Sequence, residues 1–223
     1  MSTSRLILWG GLLGLVIVGC NSSRTVSQTK PPSKDAPRTA ALSDIKQVSG
    51  SEQQLYHVRL ETSQGDVLIE VHPEWSPRGA KRFRELVEAG FYDECRFFRV
   101  LEGFMAQVGM NGDPAIHKLW DKRVIRDDPV IQSNKPGYVT FATSGPDHRS
   151  TQFFINMGDN SQLDRQGFSP FGKVIEGQEF VEALHNGYQE APQQDHISRK
   201  GNAYLKAEFP RLDYIVRATI EVP

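Results

Sequence analysis

Cysteine is scarce: only Cys20 and Cys95 occur in 223 residues. A disulfide framework is therefore excluded as the source of stability, and a chain of this length can bury a core without one. Charge of one sign is lacking as well. Lys and Arg total 26 against 27 Asp and Glu, for a net charge of -1. With no basic excess to neutralise phosphates, no nucleic-acid partner is expected. The 6 histidines show neither HxxH nor HExxH spacing, so no metal site is expected; no cofactor is expected either. The stretch GDNSQLDRQG, residues 158–167, lacks the central glycine and closing glutamate of a calcium loop. No internal repeat divides the chain. The longest apolar run, Leu6 to Val18, is too short to span a bilayer comfortably. What remains, 38% hydrophobic and 24% charged, is the composition of one globular domain with appendages.

The apolar run follows a short polar start containing Arg5 and ends in Ile17, Val18, Gly19 and Cys20. Its length fits the hydrophobic region of a secretory signal, and its ending resembles the lipobox of bacterial lipoproteins. In that family the cysteine thiol receives a diacylglycerol and the chain is cut before it. The resemblance implies a signal peptide over 1–20, lipidation of Cys20, a membrane anchor, and export to the extracytoplasmic face of a bacterial envelope. Residues 21–50 are rich in Ser, Thr, Lys, Pro and Gln without periodicity and read as a flexible tether. Cys95, between Glu94 and Arg96 with no histidine close in sequence, reads as a small packed residue.

Residues 51–223 read as one domain. LYHVRLETSQGDVLIEVHP predicts two strands around a turn at Ser63, Gln64 and Gly65, with Val67, Ile69 and Val71 on one face. SPRGAKRFRELVEAG predicts a helix with Ser76 as N-cap, Pro77 in the first turn and Gly90 as stop. Its apolar positions Ala80, Phe83, Leu86 and Val87 fall on one stripe. Further strands are expected over 96–100, 104–108, 138–143, 153–157, 171–175 and 215–222, and a second helix over 178–185. Many short strands with two isolated helices predict a mainly β fold, an antiparallel barrel with helices over its ends.

One stretch within this pattern poses a chemical question. In CRFFRVLEGFMAQVG, residues 95–109, Arg99 stands among Phe97, Phe98, Phe104 and Met105. A guanidinium keeps its charge, and burying it is costly unless it is paired. Arg99 either points outward from a strand or stands at the edge of an apolar pocket. Read alone, Phe104 and Met105 fit a core, and Gln107 and Gln152 fit surface amides.

Together with GYVTFATSGPDHRSTQFFINMGDNSQLDRQGFSPFGKVIEG, residues 137–177, this stretch resembles the cyclophilin family of peptidyl-prolyl cis-trans isomerases. The likeness runs from the first hairpin to the last strand, and the long insert after Met110 and the tail after Glu176 resemble its bacterial branch. The resemblance implies an eight-stranded closed antiparallel barrel with two capping helices and an active groove on its outside. It assigns Arg99, Phe104 and Gln107 to catalysis. Met105, Ala142, Thr143, Ser144, Gln152, Phe154, Leu163 and Phe168 are assigned to substrate binding. The partner would be a proline-containing polypeptide, bound by a monomer. Three positions depart from the family: Ala142, Thr143 and Ser144 replace its Ala-Asn-Ala, Gln162 replaces a rim tryptophan, and Phe168 a histidine. Those changes weaken the expected cyclosporin binding without touching the arginine. The competing reading of the same groove is a peptide-binding module or chaperone without catalysis. Retention of Arg99 favours the enzyme.

Overall fold

The computed structural model describes residues 54–221. The signal peptide expected over 1–20, the lipidation at Cys20 and the tether over 21–50 lie outside the described residues. Strands β1 (Tyr56–Thr62) and β2 (Asp66–Val71) form the expected hairpin. Thr62 closes its turn, with Oγ1 accepting from the N–H groups of Gln64 and Gly65, each at 3.2 Å. Val67, Ile69 and Val71 are buried together on one face, as the two-residue period of a strand requires. Helix α1 (Pro77–Glu88) follows, burying Ala80, Phe83, Leu86 and Val87. Gly90 turns the chain out of it at φ 62°, in the left-handed region that glycine enters without strain.

The remaining strands are β3 (Arg99–Leu101), β4 (Met105–Val108), β5 (Tyr138–Phe141), β6 (Phe153–Asn156), β7 (Pro170–Glu176) and β8 (Ile215–Glu221). All pairings are antiparallel, in the order β3-β4-β6-β5-β7-β2-β1-β8. The expected closed barrel is not what forms. The sheet curls into a half-barrel and stays open between its end strands, β3 and β8. The cause lies at β3, which is only 3 residues long. Only the segment before it meets the start of β8, through the isolated bridge between Arg96 and Tyr214, the bond from the Phe97 N–H to the Asp213 carbonyl at 2.9 Å, and the bond from the Glu94 N–H to the Ile215 carbonyl at 2.8 Å. Phe98 then leaves the barrel interior and packs with Met110, Ile197, Tyr204, Leu205 and Leu212. Ile197 belongs to helix α4 (Gln194–Lys200), and Tyr204 and Leu205 to helix α5 (Asn202–Glu208). Apolar burial beside the end strand therefore comes from the tail and not from closure.

Helix capping of the sheet is partial. Helix α1 covers the main core, its Phe83 ring lying 4.9 Å from Phe171 and 5.3 Å from Phe153 between centroids. The second expected helix shortens to the single turn α3 (Gln178–Glu182), with Val181 buried in the same core and Leu184 buried just beyond the helix. Helix α2 (Pro114–Asp121), α4 and α5 were not foreseen. For α2 a signal exists: Asp113 accepts from the Ala115 N–H at 2.8 Å as N-cap, and Pro114 occupies the first turn. The other two have 7 residues each, too short for a periodic stripe to stand out.

The start of α1 shows how a distant residue replaces a local one. Ser76 occupies the N-cap position but its side chain caps nothing. Its hydroxyl donates to Asp128 at 2.6 Å, and that carboxylate accepts from the Gly79 N–H at 2.9 Å and the Arg78 N–H at 3.3 Å. Arg149, 1% exposed, faces Asp127 at 3.0 Å and Asp128 at 3.5 Å. Burial alone would raise the Asp128 carboxyl. The Ser76 hydroxyl, the Gly79 N–H and the Arg149 charge outweigh it and hold the group below the usual carboxylate range.

A folded-state carboxyl so depressed contributes stability above its unfolded pKa and loses that contribution as pH falls through the folded one. Asp128→Asn should therefore cost about 3 kcal/mol near neutral pH, because it leaves a buried arginine short of one partner. The difference from the unaltered chain should close as pH falls below about 4. Urea unfolding across the pH range measures both.

Candidate active site

Alternation along the strands sorts the groove from the core. On β4, Ala106 and Val108 enter the main core while Met105 and Gln107 leave on the other face. On β6, Phe153 and Ile155 point in and Phe154 points out; on β3, Val100 points in, with Arg99 and Leu101 on the opposite side. Register then aligns the outer residues: Arg99 pairs across from Gln107, and Gln107 from Phe154. The result is an apolar cluster of Met105, Phe154 and Leu163 with Phe104, Ala142 and Phe168 against it, separate from the barrel core.

This cluster walls a cavity of about 230 Å³ that also touches Arg99, Gln107, Thr143 and Gln194. Leu163 arrives on a 3-10 helix (Ser161–Gln166), and Phe168 follows it to meet Phe154 edge to face, centroids 5.8 Å apart. The Arg99 guanidinium lies 5.8 Å from the Phe104 ring centroid. Of the residues expected to bind substrate, Met105, Ala142, Thr143, Phe154, Leu163 and Phe168 line this cavity. Ser144 and Gln152 line a neighbouring cavity of about 370 Å³ that shares Gln107, Ala142 and Thr143 with it. Gln162, expected at the rim, is exposed and borders a different depression with Asp164 and Arg165. The Thr143 hydroxyl turns its own loop, accepting from the Gly145 N–H at 3.1 Å.

Arg99 is not waiting unpaired for a ligand. Its Nε donates to Glu190 at 2.7 Å and its Nη1 to Gln107 Oε1 at 3.3 Å. Gln107 in turn donates to Gln152 at 2.8 Å, and Gln152 to Gln194 at 3.2 Å. The sequence reading missed Glu190 and Gln194. Both stand in a polar stretch of the tail, QEAPQQDH over 189–196, with no spacing that ties them to Arg99.

A second missed set lies behind the pocket. Asn134, 0% exposed, accepts from Thr140 Oγ1 at 2.8 Å and from Asn156 Nδ2 at 3.3 Å. It donates to Asp164 at 2.8 Å and to the Phe168 carbonyl at 2.9 Å. Asn160 donates to the Phe104 carbonyl and to Asn156, each at 2.7 Å. Burial would push the Asp164 carboxyl up, but donation from Ser133 and Asn134 holds it low and ionised. Gly158 completes this wall: a Cβ there would sit 1.9 Å from the Gly103 carbonyl oxygen, so no side chain fits beside the loop carrying Phe104.

Among the described residues, no group of three or more His, Cys, Asp or Glu is placed to hold a metal ion. Cys95 is fully buried, its thiol donating to the Phe91 carbonyl, and burial pushes its pKa up, away from the reactive thiolate.

Comparison with known proteins converges on one family. Residues 57–201 match the family described as cyclophilin type peptidyl-prolyl cis-trans isomerase/CLD. The chain is 35% identical over 133 residues to human peptidyl-prolyl cis-trans isomerase-like 3, covering 57% of this chain and 80% of that protein. It is 34% identical to peptidyl-prolyl cis-trans isomerase A of Dickeya dadantii, covering 57% and 70%. A cyclophilin-type isomerase of Cryptosporidium parvum superimposes with a TM-score of 0.57 at 22% identity, covering 76% of this chain and 99% of that one. That protein was also solved in the presence of the dipeptide Ala-Pro.

The network behind the pocket yields a prediction. Asn134→Ala leaves the Phe168 carbonyl and Asp164 short of a donor and should cost about 1–3 kcal/mol. Amide hydrogen exchange should quicken over residues 163–168 while the hairpin β1–β2 stays protected.

Proposed function

The chain belongs to the cyclophilin-type peptidyl-prolyl cis-trans isomerases, and from that premise we propose that it turns Xaa-Pro bonds at the Arg99 groove. In this reading it belongs to the bacterial branch, anchored by lipid at Cys20 outside the cytoplasm, and it assists the folding of exported proteins as a monomer. The observation that carries the catalytic part is a guanidinium and an apolar pocket on one face of β3, β4 and β6. The lipobox-like ending at Cys20 supports the anchor.

The chemistry explains why these residue types would suffice. Resonance between the prolyl nitrogen and the carbonyl sets a barrier of about 18–20 kcal/mol, and turnover in water takes tens to hundreds of seconds, roughly. No bond breaks, so neither nucleophile nor general base is needed. The requirement is a site that fits the twisted amide better than either planar form. As the amide twists, the lone pair localises on nitrogen, which becomes a hydrogen-bond acceptor. Arg99 then gains an interaction the ground state lacks, worth about 1.5–3 kcal/mol or roughly one to two decades of rate. Phe104, Met105, Phe154, Leu163 and Phe168 would hold the ring and exclude water from the turning amide, which stabilises the less polar twisted form further. Gln107 keeps one guanidinium arm in place, and Gln152 braces Gln107.

Arg99→Ala should lower kcat/KM about 10- to 100-fold on a short Ala-Pro peptide, with the melting temperature little changed. Line-shape or exchange NMR of the peptide measures this. Peptide binding without accelerated exchange in the unaltered chain would instead identify a binding module. For the anchor, metabolic labelling with a tagged fatty acid should mark the unaltered chain and leave Cys20→Ser dark. Equal labelling of both would remove the lipoprotein reading.

A further inference from the structure

We propose that Glu190 is a positioning residue for Arg99, and that residues 190–194 clamp the guanidinium from outside the groove. The inference rests on the isomerase reading of that groove. Glu190 Oε1 grips one edge of the guanidinium, accepting from Nε at 2.7 Å and lying 2.5 Å from Nη2. The remaining arm, Nη1, is the one directed toward Gln107. One edge is thus held and the other is left for the groove. A free arginine samples many rotamers, and a donor must be fixed before the reaction to favour a transition state over a ground state.

The position of the carboxylate separates a brace from a plug. Glu190 does not line the apolar pocket. It borders another cavity, of about 530 Å³, together with Pro192, His196 and Arg199, and Arg99 and Gln194 stand between the two. A carboxylate on that far side leaves the proline pocket open.

Two further observations point to a built device. The chain from Glu190 through Arg99, Gln107, Gln152 and Gln194 returns to a residue four positions from its start. This circuit closes through the backbone of 190–194. The segment is itself anchored: the Gln193 N–H donates to Tyr204 Oη at 3.2 Å and the Ala191 N–H to the Tyr188 carbonyl at 2.9 Å. Gln189, just before the carboxylate, sits at φ 47°, a left-handed conformation costly for a residue with a Cβ. Such a conformation persists where its surroundings over-determine it. The ion pair itself is too exposed to matter for stability, its carboxylate side chain being 60% accessible. Orientation of Arg99 is what it supplies.

The test compares the unaltered chain with Glu190→Ala, Glu190→Gln and, as a control on the same cavity wall, Asp195→Asn. Prolyl exchange, peptide affinity and melting temperature are measured for each. Glu190→Ala should lower kcat about five- to tenfold, with KM within about twofold and an unchanged melting temperature. Glu190→Gln, which keeps the acceptor oxygen, should lose less, and Asp195→Asn should lose nothing. Raising salt to about 1 M should slow the unaltered chain and leave Glu190→Ala unmoved, since only the former has the exposed Glu190–Arg99 pair to screen. A Glu190→Ala variant as fast as the unaltered chain, or faster, overturns the proposal, as does an equal loss in Asp195→Asn. Absence of exchange in the unaltered chain would sink the isomerase reading instead. The Arg99 Nε–H resonance then still decides the clamp, which requires slow solvent exchange in the unaltered chain and its loss in Glu190→Ala.

Discussion

A strand turns successive side chains to opposite faces, and β4 carries the weight of that constraint. Ala106 and Val108 fill the barrel core, and their burial fixes the register that aims Met105 and Gln107 outward. A slip of one residue would send the groove residues into the core and the core residues into water. The same alternation on β6 faces Phe154 toward Gln107, and on β3 it faces Arg99 there too. Groove geometry is therefore a by-product of core packing, and the free energy that folds the barrel also holds the site in place.

A cation beside an apolar wall needs company, and the molecule supplies it from two directions. Glu190 and Gln107 bond the guanidinium of Arg99 on opposite sides. Behind the wall, buried Asn134 and Asn160 use side-chain amides to satisfy carbonyls of Phe104 and Phe168, neither of which lies in a regular strand. Loops carrying pocket residues are thus stiffened by hydrogen-bonded polar groups, Asn134 on both its amide atoms, which is the form in which buried polarity specifies rather than destabilises.

Much of this was legible in the chain. The hairpin β1–β2, helix α1 and the strands bearing Arg99, Met105 and Phe154 follow from alternation, turn residues and a helical stripe, signals that span only a few residues. The matched spacing of two distant blocks, one around Arg99 and one around Phe154, carried the family. Illegible were the features made by contacts distant in sequence. Asp128 reaches Ser76 across 52 positions, and Glu190 reaches Arg99 across 91. Openness of the sheet belongs to the same class, because it depends on where Phe98 finds apolar partners, and all of those but Met110 stand in the tail.

An open sheet has two free edges, and each is a template on which another strand can add. The edge at β3 is short, and the tail packs on Phe98 at its start. The edge at β8 is defended by chemistry. Arg217 projects from it, 60% exposed, paired with Glu61 at 2.6 Å, and the Ala218 N–H is taken by Asp93 at 3.1 Å. A backbone donor already bound to a carboxylate cannot join a ladder, and a charged side chain resists burial under a new strand. The half-barrel arms one edge and shelters the other, so the tail that reaches Arg99 also guards the sheet against growth.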